Sequence, residues 1–181
     1  PKKELVEKVL SAFRDMAAHG TTTVEAKSGY GLTLESELKS LAAIRGAASS
    51  WPGTAVPTLL GAHVVPQEFQ GRSLKYVELV CTEMIPRAAR EKLAQFVDVF
   101  CDKGAFTPAQ TEQIFAAADA NGLAVRAHMG QLSETTLAPF LRFKPASFDH
   151  MDHVSDSDVQ QLAKNDTVAT LVPGANYFLG L

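Results

Sequence analysis

Residues 121–131 read Asn-Gly-Leu-Ala-Val-Arg-Ala-His-Met-Gly-Gln. Asn121-Gly122 is a helix-ending pair, Leu123 to Ala127 is a short run of strand character, and the run stops at His128. Upstream, Thr107-Pro108 places threonine at an N-cap and proline in a first turn, so a helix leads into this strand. Helix, turn and short buried strand ending on a polar residue make one βα step, and the fold depends on how often that step recurs.

It recurs along the whole chain. Leu5, Val6, Val9, Leu10, Phe13 and Met16 or Ala17 give helical spacing over 3–19, Gly20 stops the helix, and Thr21 to Ala26 follows as a strand. Lys27-Ser28-Gly29-Tyr30-Gly31 is a loop, 34–48 a helix, Trp51-Pro52-Gly53 a turn, and Pro57 to Val65 the next apolar run. After a loop over Pro66 to Gly71, the pattern predicts a helix over 72–93 and a strand over Phe96 to Cys101. Beyond His128 it predicts a helix at 133–142, a strand at Ala146 to Phe148, a Ser155-capped helix over 156–164 and a last strand at Thr167 to Val172. Six alternations with short connections mean an α/β fold with a parallel sheet. A closed eight-stranded barrel takes about 250 residues. The 181 residues therefore suit an incomplete (β/α)8 TIM-type barrel of about six parallel βα units, as one domain or most of one. The start at Pro1-Lys2-Lys3 without methionine and the apolar finish Tyr177-Phe178-Leu179-Gly180-Leu181 suggest an internal piece of a longer protein.

Composition narrows the function classes. With 46% hydrophobic and 20% charged residues and a net charge of -3, the chain is of ordinary globular type, without the basic stripe of a nucleic-acid binder. No apolar run approaches the roughly 18 residues of a membrane span. Cys81 and Cys101 read as buried free thiols of a reduced, cytoplasmic protein.

The histidines carry the chemical signal. His19 sits at a helix end, where its partial charge suits the dipole, and reads as structural. His63, His128 and His150 each end a predicted strand, and His153 follows, on the loop or the next helix, as a minor candidate. Any one alone is most simply a hydrogen-bonded structural histidine. In a parallel barrel, however, the C-terminal strand ends meet at one mouth, where ligating and acid–base groups gather. Glu25 and Lys27 read as a pair along one strand, Asp98 and Asp102 as groups holding the loop near Cys101, and Tyr30 as a turn or core residue. No phosphate-loop lysine and no Gly-x-Ser-x-Gly elbow is present.

The stretches "TTTVEAKSGYGL", "LLGAHVVP", "VDVFCDKGAF", "HMGQLS", "SFDH" and "ATLVPGANYFL" resemble, in this order, the imidazolonepropionase family of metal-dependent amidohydrolases. The resemblance runs from about Gly20 to Leu181. It implies that residues 1–181 are the central part of the catalytic barrel, its second to seventh strands, without the first and last barrel units and the small β domain. It implies one zinc or iron ion per full-length subunit, with His128 as the fifth-strand ligand, and the remaining ligands (a His-x-His pair and an aspartate) outside this chain. By the same resemblance, Tyr30, His63 and Gln131 contact the substrate, and His150 orients the attacked group and the water. Met129-Gly130 departs from the family's usual alanine and acidic residue, which alters surroundings rather than ligands. The implied reaction is hydrolysis of the cyclic amide of 4-imidazolone-5-propanoate to N-formimidoyl-L-glutamate in histidine degradation. The full-length protein is expected to be a homodimer and the segment alone inactive; composition and the free thiols add the expectation of a cytoplasmic protein with no nucleic-acid or membrane partner. Two other readings stand beside it: a purine or pyrimidine deaminase of the same superfamily, and a non-catalytic α/β binding module.

Overall fold

All six predicted strand runs become strands, and they lie side by side in chain order. The computed structural model describes residues 2–180; Pro1 and Leu181, on which the reading of the chain ends partly rests, lie outside them. The elements are α1 (Lys2–Ala18), β1 (Thr23–Lys27), α2 (Leu34–Ala48), β2 (Thr54–Ala62), α3 (Ser73–Leu79), α4 (Ile85–Arg90), β3 (Phe96–Cys101), α5 (Pro108–Ala120), β4 (Ala124–Met129), α6 (Ala138–Leu141), β5 (Ser147–His150), α7 (Asp156–Leu162), β6 (Val168–Thr170) and α8 (Pro173–Leu179). Every neighbouring pair from β1 to β6 is parallel.

The sheet curls into a half-barrel, and side-chain reach proves it. With strands about 4.8 Å apart, β1 and β5 would stand roughly 19 Å from each other in a flat sheet. Yet Lys27 Nζ on β1 lies 3.6 Å from Asp149 on β5, and Arg126 on β4 lies 3.0 Å from Glu25 on β1. Alternation then sorts each strand. On β4, Val125, Ala127 and Met129 are buried against the helices while Arg126 and His128 face the concave side. The helix-side core is built on Tyr76, Met84, Ile114, Phe115, Phe140 and Phe148, all fully buried. Each such side chain contributes about 1.5–3 kcal/mol. At the amino end, α1 buries Phe13 against Trp51, ring centroids 4.9 Å apart.

Three helical expectations are corrected, each by a proline. The predicted helix over 72–93 is divided by a π-helical stretch at Val80–Met84, where Ile85 N–H bonds the Val80 carbonyl. Pro86 has no N–H to continue the ordinary ladder, so the turn widens just before it. The helix expected at 133–142 shrinks to Ala138–Leu141, because Pro139 is tolerated only in a first turn. Pro173, read as the end of the last strand, instead opens α8. Among the described residues no helix is long and apolar enough to cross a membrane.

Both cysteines are free, as expected, but only Cys101 is fully buried; Cys81, on the helical stretch before Pro86, is half-buried. Burial pushes the Cys81 thiol up to about 11, and burial, with Asp102 nearby, raises Cys101 as well. Neither is appreciably thiolate at neutral pH, so iodoacetamide should label both slowly in the native protein and completely in urea. Rapid native labelling, read by mass spectrometry, would contradict this packing.

Candidate metal centre

Instead of the branched apolar residues that usually fill a barrel, the concave face carries charge. Lys27 Nζ lies 3.0 Å from Glu25, 2.6 Å from Asp98 and 3.6 Å from Asp149. The Lys27, Asp98 and Asp149 side chains come from alternate strands β1, β3 and β5, as in a barrel layer. Beneath them, Glu25 accepts from Thr58 Oγ1 at 2.6 Å and from Arg126 at 3.0 Å, and the Arg126 guanidinium lies 4.3 Å above the Phe96 ring. Three carboxylates thus face two cations, and His128 adjoins the excess negative charge. Its Nδ1 lies 3.0 Å from Asp98 Oδ2 and 3.1 Å from Oδ1. Burial pushes the His128 pKa down, but the Asp98 hydrogen bond and charge more than offset it, so the net shift is upward. Burial likewise pushes Asp98 up, and His128 and then Lys27 overcome it, so Asp98 stays ionised although its side chain is 0% exposed.

Above this layer, rings line the mouth. Tyr30 meets His63 edge-on at 5.3 Å, Phe100 lies 6.3 Å from both His63 and His128, and His150 lies 5.5 Å from His128. His150 reaches this row by breaking the strand rule. Phe148 faces the helices, so His150 should too; instead His150 and Met151 adopt φ of 81° and 60°, a left-handed bend that turns the chain. His150 Nδ1 is buried without a hydrogen-bond partner among the described residues. Its pKa is lowered, by burial first and the neighbouring His128 second.

Two buried carboxylates hold the loops that carry the rim. Glu37 on α2 accepts from the backbone N–H groups of Gly29 at 2.7 Å, Gly31 at 2.9 Å and Leu32 at 2.8 Å. This fixes the loop of Tyr30, and His63 Nδ1 donates to the Gly29 carbonyl at 2.9 Å. Gly29 is required there: its φ is 111°, and a Cβ would lie 2.8 Å from the Leu60 oxygen. Asp102 accepts from the N–H of Gln131 and Leu132 and from Ser133 Oγ, as a loop-holding role predicts.

The structure therefore brings His63, His128 and His150 to one mouth, with Tyr30 exposed at its edge and Gln131 in the loop after β4. His19 is apart and bonds the Asp15 carbonyl, and His153 is exposed. Two readings change. Lys27 does more than pair with Glu25, and Asp98 belongs to the interior rather than to the loop. Asp149 and Glu37 were not singled out by sequence reasoning. For Asp149 a signal existed, a charge in the inward phase of a buried strand; for Glu37, on a helix with acids in its first turn, there was none.

Among the described residues one group offers several metal-ligating atoms close together: Asp98, His128 and Asp149, within 4.8 Å of one another. His128 Nε2 lies 3.9 Å from Asp149 Oδ2, too far for a hydrogen bond, so this donor is free to ligate. The donor set fits a divalent metal at the His128 side of the group.

No family model matches the chain. Over 176 residues it is 49% identical to the imidazolonepropionase of Rhizorhabdus wittichii, and over 181 residues 44% identical to that of Yersinia enterocolitica. The chain is a homologue of the imidazolonepropionases. The alignments cover 97% and 98% of the chain and 44% of each relative, so it spans less than half their length. Among solved structures it is similar to an adenine deaminase from Arthrobacter aurescens, with a TM-score of 0.66 and 14% identity over 97% of this chain and 54% of that one. It is also similar to a zinc-bound amidohydrolase from Burkholderia ambifaria, with a TM-score of 0.67 and 17% identity over 99% of this chain and 50% of that one. At these identities the likeness concerns the fold alone, six parallel strands of a TIM-type α/β barrel.

Two outcomes follow from the geometry. Glu37→Ala leaves three N–H groups of the Tyr30 loop without their acceptor and should cost about 3 kcal/mol, read from the urea midpoint; a change within about 0.5 kcal/mol would contradict it. In the metal-free protein, folding favours charged His128, because its pKa lies above the ordinary 6.5. That stabilisation is complete below about pH 6.5 and is lost as pH rises through the elevated value. Stability should therefore decline over this window, and His128→Gln should flatten the decline.

Proposed function

We propose that this chain is the central part of the catalytic barrel of an imidazolonepropionase. The full-length protein would hydrolyse the cyclic amide of 4-imidazolone-5-propanoate to N-formimidoyl-L-glutamate, in histidine degradation. The observation that carries the reading is the convergence of His63, His128 and His150 on one mouth, above a buried carboxylate layer, in a homologue of these enzymes.

In this reading His128 ligates the metal through Nε2, and the other ligands lie outside the 181 residues. When bound, zinc or iron supplies a nucleophile by lowering the pKa of its water from about 15.7 towards about 7. His150 donates a hydrogen bond to the attacked carbonyl oxygen as negative charge develops there. Two features support that role: its buried Nδ1 has no hydrogen-bond partner among the described residues, and its lowered pKa keeps the ring neutral, with one N–H to donate. His63 uses Nδ1–H on the Gly29 carbonyl, which leaves Nε2 as an acceptor for an N–H of the substrate ring. Tyr30 and Gln131 complete the orientation of ring and side chain. The two free thiols suit a reduced, cytoplasmic compartment.

The test is loss of the substrate's ultraviolet absorbance with full-length protein, with and without chelator. Chelator-sensitive turnover is expected. A folded, metal-loaded protein that leaves this substrate intact and deaminates a purine would overturn the assignment. His128→Ala should abolish metal retention. His63→Ala should mainly raise KM, about tenfold for one lost hydrogen bond. The 181-residue chain alone should show no turnover; activity at the full-length rate would refute that part.

A further inference from the structure

The carboxylate at the centre of the layer, Asp98, has no part in the reaction described above. We propose that Asp98, clamped by Lys27, is a positioning residue that fixes the tautomer and ring orientation of His128, and is not itself a metal ligand. The proposal rests on the reading of His128 as a ligand.

The argument starts from the oxygens of Asp98. Oδ2 accepts from Lys27 Nζ at 2.6 Å, and His128 Nδ1 lies within 3.1 Å of both oxygens. A carboxylate beside an ammonium can only accept, so the hydrogen between Asp98 and His128 belongs to Nδ1. Neutral His128 then carries its lone pair on Nε2, the atom that has no hydrogen bond to Asp149 at 3.9 Å. The ring is thereby held with its ligating nitrogen on the face away from Asp98. A metal-bound imidazole whose other nitrogen donates to a carboxylate is oriented and made more basic by that partner.

The same geometry argues against Asp98 as a ligand. A metal on Asp98 would have to take the oxygens that now serve Lys27 and His128. Ligation would break the 2.6 Å contact to Lys27 and take from His128 Nδ1 the acceptor that orients its ring. The three-residue group around His128 is therefore not three ligands. Asp149 differs from Asp98: its Oδ1 accepts from Ser147 Oγ at 2.8 Å, and its Oδ2 is 3.6 Å from Lys27.

The test uses full-length protein, stripped of metal and titrated with zinc against a chromophoric chelator. Asp98→Asn keeps the shape of the side chain but cannot hold Lys27 and His128 together as a carboxylate does. We expect it to bind zinc about 10- to 100-fold more weakly. In parallel, histidine ¹⁵N NMR of the metal-free unmutated protein, above the pH at which His128 loses its charge, should show the Nδ1–H tautomer for His128. In folded Asp98→Asn the tautomer population should move towards Nε2–H. Unchanged zinc affinity in folded Asp98→Asn overturns the proposal. So does an Nε2–H tautomer in the unmutated protein, a measurement that stands even if the variant does not fold. His128→Ala separates the two readings. If it still retains zinc, the ligand assignment has failed and this proposal with it; if it loses zinc while Asp98→Asn does not, only this proposal has failed.

Discussion

A single ammonium inside a curled sheet sets the arrangement of the half-barrel's interior. Lys27 draws together carboxylates from β1, β3 and β5, strands that a flat sheet would hold far apart. Such a cluster is a poor way to gain stability, because desolvating charges costs about what their attraction returns, and an apolar layer of the same volume would serve as well. What it provides is position. Asp98 is immobilised although wholly buried, and His128 is immobilised through Asp98.

The rim depends on that layer and on backbone devices around it. The left-handed bend at His150 and Met151 costs about 1–2 kcal/mol per residue, and it converts a side chain that should face the helices into one that faces the mouth. Glu37 and Asp102 act alike on opposite sides of the mouth. Each is a carboxylate that gathers loop N–H groups, so the segments carrying Tyr30 and Gln131 are shaped by buried acceptors rather than by regular structure. The loops at the mouth are thus fixed by a few strong hydrogen bonds.

The α/β class and all six strands were legible in the sequence, because each strand is a short apolar run punctuated by glycine, proline or a helix cap. The rim histidines were legible for a related reason, since a histidine that ends such a run stands out. The interior layer was not. Lys27 and Asp98 were visible, but their partners lie on strands distant in sequence, and only the curl brings Lys27 to Asp149. Nor could local pattern find the bend that re-aims His150, which comes from backbone dihedrals at two ordinary residues. Proline erred in the other direction. Pro86, Pro139 and Pro173 are all plain in the sequence, yet their effect depended on whether each fell within a helix or in its first turn.

The most direct test of this account is anomalous diffraction from crystals of the full-length protein grown with a divalent metal. The account predicts a metal peak on the Nε2 side of His128, with Lys27 still seated on Asp98. A peak between Asp98 and Asp149, with the Lys27 ammonium displaced, would show that the interior carboxylates are the ligands and would contradict it.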